Sequence, residues 1–172
     1  MQIKKLIVGP LETNCYVLIK DKSCLVIDPA ADYKKIKEAI AGYKLEGVLV
    51  THYHFDHVGA LTDIIRDYSV NIYNYRTLGI KKTKNFSFEV KATKGHNNDC
   101  VTFIFEDDLF VGDFVFKQGI GRTDLPGGDD QTMQNSLEWF KSLEKDYQVY
   151  PGHGPSTSVF KEKKENPYLN YI

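Results

Sequence analysis

Between His52 and His57 the chain reads H-Y-H-F-D-H, three imidazoles and a carboxylate within six residues, directly after the apolar run Gly47 to Thr51. Nothing else in the sequence restricts the fold as strongly. Residues two apart in an extended segment point to the same side, so His52 and His54 converge as the strand ends. Asp56 and His57 lie where the chain turns into a helix, and they face elsewhere. Without a partner, such a cluster repels itself when protonated and is costly to desolvate. A metal ion resolves both problems, and imidazole with carboxylate suits zinc, and also iron or manganese. The chain has five histidines. The other two, His96 and His153, each follow a strand-like run, as does Asp113 in L-F-V-G-D. The fold must therefore bring distant strand ends to one sheet edge, where loops carry chemistry on a rigid frame. Five imidazoles with Asp56 and Asp113 suffice for two divalent ions side by side. Two such ions generate hydroxide at neutral pH, which points to hydrolysis.

The rest of the chain supplies elements for such a frame. Ile3 to Val8 predicts a strand ended by Gly9-Pro10, and 15–19 with 24–27 predicts a hairpin. Tyr33 to Ala41 carries a helical stripe at Ile36, Ala39 and Ile40. A helix is expected over His57 to Tyr68, with Val58, Leu61, Ile64 and Ile65 on one face. Strands are expected at 70–73, 86–93, 101–105, 109–111 and 148–150, and helices at 131–143 and 158–165. Two packed sheets with helices outside accommodate this order.

Composition narrows the partners. The chain has 172 residues, 42% apolar and 26% charged, with a net charge of -1, which fits one soluble domain. No basic excess suggests a nucleic-acid partner or an anionic membrane, and no apolar run approaches the roughly 20 residues of a span. The first residues read as a strand and not as a signal peptide. Three cysteines, Cys15, Cys24 and Cys100, cannot all pair within one chain, so reduced thiols in a cytoplasmic protein are expected. Oligomeric state leaves no mark in the sequence.

T-H-Y-H-F-D-H, Gly95-His96, Gly112-Asp113 and P-G-H-G at 151–154 resemble, in order and approximate spacing, the metallo-β-lactamase superfamily. V-G-P-L-E-T-N-C-Y at 8–16 and L-F-V-G-D-F-V-F-K-Q-G-I-G-R-T-D-L-P-G-G-D at 109–129 resemble its glyoxalase II-like branch. The resemblance implies an α/β fold, a four-layer αββα sandwich with the site at one end of two sheets. It implies His52, His54 and His96 on a first ion, Asp56, His57 and His153 on a second, and Asp113 between them. It also places Asp28 behind a ligand, where it could orient a histidine ring, with a turn residue as the other reading. Thr51 could support the same loop. Arg122 could meet a substrate carboxylate or pair with Asp124 or Asp129. Tyr53 could line the pocket or serve packing.

The chain departs from the family at His96-Asn97-Asn98-Asp99-Cys100, where His-Thr-x-Gly-Ser is usual, so the surroundings of His96 should differ. Cys100 is expected in the core, not as a ligand. Only about twenty residues follow His153, so the expectation is one domain, 1–172, without the C-terminal helical domain that helps larger glyoxalase II enzymes bind glutathione. The resemblance then implies a short bacterial hydroxyacylglutathione hydrolase type. It would be a dinuclear hydrolase of small thioesters such as S-lactoylglutathione, with a metal-bridging hydroxide as nucleophile and Asp56 and Asp113 as possible proton carriers. A thiolate leaving group with a pKa near 8.5 needs little acid assistance, which suits a site with no spare histidine. Two other readings stand beside it: a persulfide dioxygenase with one iron on His52, His96 and Asp113, and a non-catalytic metal-binding domain. A secreted β-lactamase and a nuclease fit less well, for want of a signal segment, a cap domain and a basic surface.

Overall fold

In the computed structural model, which describes residues 1–170, the chain opens with β1 (Gln2–Val8), β2 (Thr13–Lys20) and β3 (Ser23–Ile27), paired antiparallel in turn. Helix α1 (Tyr33–Ile40) returns the chain to β4 (Lys44–Leu49), parallel to β3. Helices α2 (Phe55–Val58) and α3 (Leu61–Asp67) lead to β5 (Ile72–Tyr73), parallel to β4. These strands form one sheet in the order β1-β2-β3-β4-β5. Next come β6 (Gly79–Lys82), β7 (Ser87–Ala92), β8 (Val101–Ile104) and β9 (Asp108–Gly112), an antiparallel meander. A small hairpin, β10 (Val115–Phe116) with β11 (Gly119–Ile120), projects before α4 (Asp130–Ser142). Strand β12 (Gln148–Pro151) joins β9 in parallel, β13 (Thr157–Ser158) pairs with β12, and α5 (Val159–Glu165) and α6 (Pro167–Asn170) follow. The second sheet runs β13-β12-β9-β8-β7-β6. Residues 171–172 of the expected domain lie outside the described residues.

Period-two alternation explains how these pieces stack. Along β2, Cys15, Val17 and Ile19 face one way and pack with Ile36 and Ile40 of α1 and Leu61 and Ile64 of α3. Tyr16 and Leu18 face the other way and meet Phe88, Phe103 and Phe110 of the second sheet. A third core lies outside that sheet, where Leu109, Val111 and Val149 pack on Met133, Leu137 and Phe140 of α4 and Val159 of α5. Three cores between four layers make the αββα sandwich. Phe103, Phe110, Phe114 and Phe140 are fully buried, each contributing about 2–3 kcal/mol by area removed from water.

Four local differences from the sequence reading have physical causes. The helix expected over 57–68 is two helices. The chain at Gly59 presses on the 28–30 turn: a Cβ there would lie 2.3 Å from the Ala30 carbonyl oxygen, and Ala60 N–H donates to Pro29 O at 2.9 Å. Ile65, expected on the apolar face, is 41% exposed, since Leu61 and Ile64 fill the contact. Strand β6, G-I-K-K, has too little apolar pattern to announce an edge strand. The hairpin β10–β11 forms without any strong period, because buried Glu162 and Asn166 hold it: Glu162 accepts from Gln118 N–H (2.7 Å), and Asn166 donates to Gly119 O (2.9 Å) and Phe116 O (3.3 Å).

Candidate metal centre

The sandwich carries its histidines at one end because the strands and loops that bear them finish there. Strand β4 ends at Leu49, and Val50 and Thr51 carry the chain to the His52–His54 loop. Val101 N–H donates to Thr51 O (2.9 Å), tying that loop to the start of β8 just beyond His96. Strand β9 delivers Asp113 and β12 delivers His153. The P-G-H-G loop is held from across the sandwich by buried Asn14, whose side-chain amide donates to Pro151 O and Gly154 O, both at 2.9 Å. Tyr16 adds a third bond, O–H to Pro151 O at 2.6 Å. Gly152 lets this loop close in, since a Cβ would lie 2.3 Å from Asp113 Oδ1 and 2.6 Å from His57 Cε1.

All seven side chains singled out in the sequence come together. Three triads each bring ligand atoms within 4.8 Å of one another: His52, His54 and His96; His52, His57 and Asp113; Asp56, His57 and His153. Asp113 lies between the halves. Its Oδ1 is 3.3 Å from His57 Nε2, and its Oδ2 is 3.6 Å from His96 Nε2 and 3.5 Å from His153 Nε2. Asp56 Oδ2 is 3.2 Å from His153 Nε2 and accepts from Thr13 Oγ1 at 3.3 Å.

The ring protons are placed by their partners. His96 Nδ1–H donates to Arg122 O (2.7 Å), His153 Nδ1–H to Leu11 O (3.1 Å), and His57 Nδ1–H to Asp28 Oδ2 (2.8 Å). Thr51 donates its hydroxyl proton to Asp28 Oδ2 (2.6 Å), so Thr51 Oγ1 accepts from His52 Nδ1–H at 3.1 Å. Four rings thus turn Nε2 inward, and His54 offers Nδ1, 2.9 Å from His96 Nε2. Asp28 also accepts from Thr51 N–H (2.7 Å). It is buried and left-handed at φ 48, an unusual backbone for a non-glycine residue. One carboxylate thereby fixes a ring in each half of the cluster, which is the role that orients metal-binding histidines.

Several inward atoms have no hydrogen-bond partner: His52 Nε2, His57 Nε2 and Asp113 Oδ1 are buried and unpaired. Such atoms are costly unless something binds them. Neutral imidazole nitrogens beside carboxylate oxygens form the donor set that divalent metals take, so the residues fit metal ions. Without an ion the two halves titrate differently. Burial, then the neighbouring His57, pushes His52 well below the usual imidazole range, and burial with His96 lowers His54. Burial also works against charge on His57, but Asp28 and Asp113 overcome it and raise its pKa. Hydrogen bonds to Asp113 and Asp56 raise His153 to about 9. Burial opposes ionisation of Asp56 and Asp113, but hydrogen bonding to His153, with His57 beside them, leaves Asp56 at about 2 and Asp113 lowered as well.

A cleft of about 370 Å³ opens over the cluster, lined by His54, Asp56, His96, Asp113 and His153 and by Leu11, Phe55, Leu125, Pro126 and Arg122. Its rim is apolar, with Leu11 50% and Phe55 76% exposed. Arg122 reaches the rim with its side chain already paired to Asp124, Nε to Oδ1 at 2.7 Å and Nη2 to Oδ2 at 2.8 Å. Asp129 instead caps α4 through Thr132 N–H. Tyr53 does not line this cleft and faces a separate hollow with Asn74 and Asp99. Cys100 is buried with its thiol pKa pushed up by that burial, and it joins no ligand group. Asn14 is the functional residue the sequence reading missed. It sits inside a quoted motif, but its partners lie 137 and 140 residues away.

Comparison with known proteins agrees with the geometry. A model of the metallo-beta-lactamase superfamily matches residues 8–96. The chain is 33% identical to the probable metallo-hydrolase YqgX of Bacillus subtilis, over 99% of this chain and 98% of that protein. It is 29% identical to the hydroxyacylglutathione hydrolase GloC of Haemophilus influenzae, over 99% of each chain. Among solved structures, BLEG-1 B3 metallo-beta-lactamase superposes with a TM-score of 0.90 at 29% identity, over 98% of this chain and 99% of that one. TTHA1623 in a di-iron-bound form superposes with a TM-score of 0.87 at 28% identity, over 96% and 100%. A family model across half the chain, and a relative alike from end to end, lead to one conclusion: the chain belongs to the metallo-beta-lactamase superfamily.

Proposed function

We propose that this protein hydrolyses small thioesters at a pair of divalent ions. His52, His54 and His96 would hold the first, Asp56, His57 and His153 the second, and Asp113 would serve both. The observation that carries this reading is the position of Asp113, whose two oxygens face both histidine sets at 3.3–3.6 Å. When bound, such ions act as Lewis acids and bring the pKa of a coordinated water toward 7. Asp28, through His57 and Thr51, keeps the rings oriented so that no reorganisation is needed at the moment of reaction. Asp56 and Asp113 are ionised at neutral pH, and Asp56, with Thr13 beside it, is placed to receive a proton from the attacking group. The apolar rim at Leu11, Phe55 and Leu125 suits an acyl group and sheds water from it.

Zinc is the first expectation, and the likeness to a di-iron protein keeps iron open alongside manganese. Three buried, unpaired thiols fit a reducing compartment such as the cytoplasm, and no helix among the described residues is long and apolar enough to cross a membrane. The intact second set, Asp56 with His57 and His153, favours this reading over a one-iron persulfide dioxygenase, which needs only His52, His96 and Asp113. The test is turnover of S-lactoylglutathione and of thioesters on other carriers by protein loaded with zinc, iron or manganese. Catalysed thiol release supports the proposal. Oxygen uptake with a persulfide and no thioester cleavage overturns it.

A further inference from the structure

Three exposed apolar side chains meet at the metal cleft from separate parts of the chain. Leu11 comes from the turn between β1 and β2, Phe55 from the start of α2, and Leu125 from the loop between β11 and α4. Single exposed apolar residues are ordinary, but a group of them around one opening marks a binding surface. Each is carried by a segment whose backbone also fixes a metal-facing residue. Leu11 O accepts from His153 Nδ1–H at 3.1 Å, and Phe55 stands between His54 and Asp56 in the chain. The Leu125 loop is tied on both sides. Arg122 O accepts from His96 Nδ1–H (2.7 Å), and Asp129 N–H donates to Gly95 O (2.8 Å). Gly127, left-handed at φ 93, lets that loop settle on Asn97 of the unusual H-N-N-D-C run, where a Cβ would collide with Asn97 Oδ1. The rim is thus held in register with the cluster.

The cleft offers little else to the far end of a substrate. Its polar lining is the metal-facing set, apart from Arg122. The Arg122 guanidinium is already spanned by both oxygens of Asp124, at 2.7 and 2.8 Å. A carboxylate arriving on a thiol carrier would exchange one anion for another at an exposed site, with little net gain. A hydrocarbon chain meets a different balance, because it leaves water and covers Leu11, Phe55 and Leu125 at once. We propose that this rim is an acyl subsite, and that the protein selects its thioester by an apolar acyl chain and not by the charge of the carrier. Rim and metal-facing atoms line one and the same cleft, so a single acyl group reaches both. The subsite deepens the proposed function and rests on it for the chemistry at the ions.

The test uses zinc-loaded protein and N-acetylcysteamine thioesters of acetyl, butanoyl, hexanoyl and ω-hydroxyhexanoyl groups. The expectation is a kcat/KM that rises about threefold per methylene, carried by KM. The terminal hydroxyl should cancel most of the gain, since the rim gives it no partner. Hexanoyl-glutathione should match its N-acetylcysteamine counterpart within about threefold. Leu11→Ala and Leu125→Ala, which leave the backbone bonds to the site in place, should each bring the slope down toward about twofold. A flat chain-length series, or a slope untouched by both variants, overturns the subsite while leaving thioester hydrolysis standing. Self-association in sedimentation that Leu125→Ala abolishes, beside a flat series, would give the rim to a second copy instead. If no thioester is cleaved, the hydrolase reading falls, and calorimetry with the S-butyl and S-hexyl thioethers of N-acetylcysteamine decides the subsite alone. Binding of the hexyl compound about tenfold tighter than the butyl, weakened by Leu125→Ala, supports the subsite. Equal affinities, or no binding, overturn it.

Discussion

The two halves of the cluster both present imidazoles, and these are tuned in opposite directions. Burial outweighs the carboxylates near His52 and His54 and lowers the pKa of both. His57 and His153 lie among Asp28, Asp56 and Asp113, and their pKa values rise. His52 and His54 are therefore neutral and ready for an ion at ordinary pH. The second half holds protons that an ion must displace. The difference comes from where carboxylates fall in the fold, since the histidines themselves are close: the His52 and His57 ring centroids are 4.1 Å apart. A shared site need not be a symmetric one.

Asp113 joins the halves, so its replacement should have the largest effect. Asp113→Ala should lower thioester turnover by on the order of 10³-fold, the scale of losing a central electrostatic group, and should weaken both ions together. Loss of one ion alone, seen by elemental analysis, would separate the halves and break the comparison. Asp28→Asn comes next. It keeps the shape, and Asn tolerates the left-handed backbone, but it removes the charge behind His57. Affinity for the second ion should fall by about 10–100-fold, with a smaller loss at the first through Thr51, as read by competitive chelation. Asn14→Ala should act on stability. It strips the amide that holds Pro151 and Gly154, which costs about 2 kcal/mol and roughly 4–8 °C of Tm, and it should loosen the half containing His153 more than the other.

Stability of the ion-stripped protein should also report the asymmetry. A raised imidazole contributes stability that is complete below its unfolded value, near 6.5, and is lost as pH climbs through its folded value. His153 sets that window between 6.5 and about 9, and His57 acts in the same sense. Chelator-treated protein should therefore lose Tm across that window. Ion-loaded protein should not, because the ions have already displaced those protons.

Much of this centre was legible in the residues, for reasons that differ by position. His52, His54, Asp56 and His57 announce themselves because their spacing makes no sense without an ion. His96, His153 and Asp113 were found by counting imidazoles and by resemblance. The strand and helix periods were compatible with the αββα order that the resemblance implied, and the alternation along β2 shows why. What the sequence concealed is contact across long chain separations. Asp28 read equally well as a turn residue, and only its bonds to Thr51 and His57 decide between the readings. Asn14 carries no local signal at all. The break at Gly59 arises from pressure by Ala30, 29 residues upstream, which helical periodicity cannot register. Arg122 shows the converse: its side chain pairs with Asp124, two residues on, while its carbonyl oxygen orients His96.

The most direct test of two unequal ion positions is metal per chain, measured by elemental analysis on protein equilibrated with zinc over a descending pH series. The account predicts two equivalents at pH 8, and loss of one before the other as protons reclaim His153 and His57. Asp28→Asn should shed that same equivalent at a higher pH. A single equivalent at every pH, or both lost in one step, would contradict it.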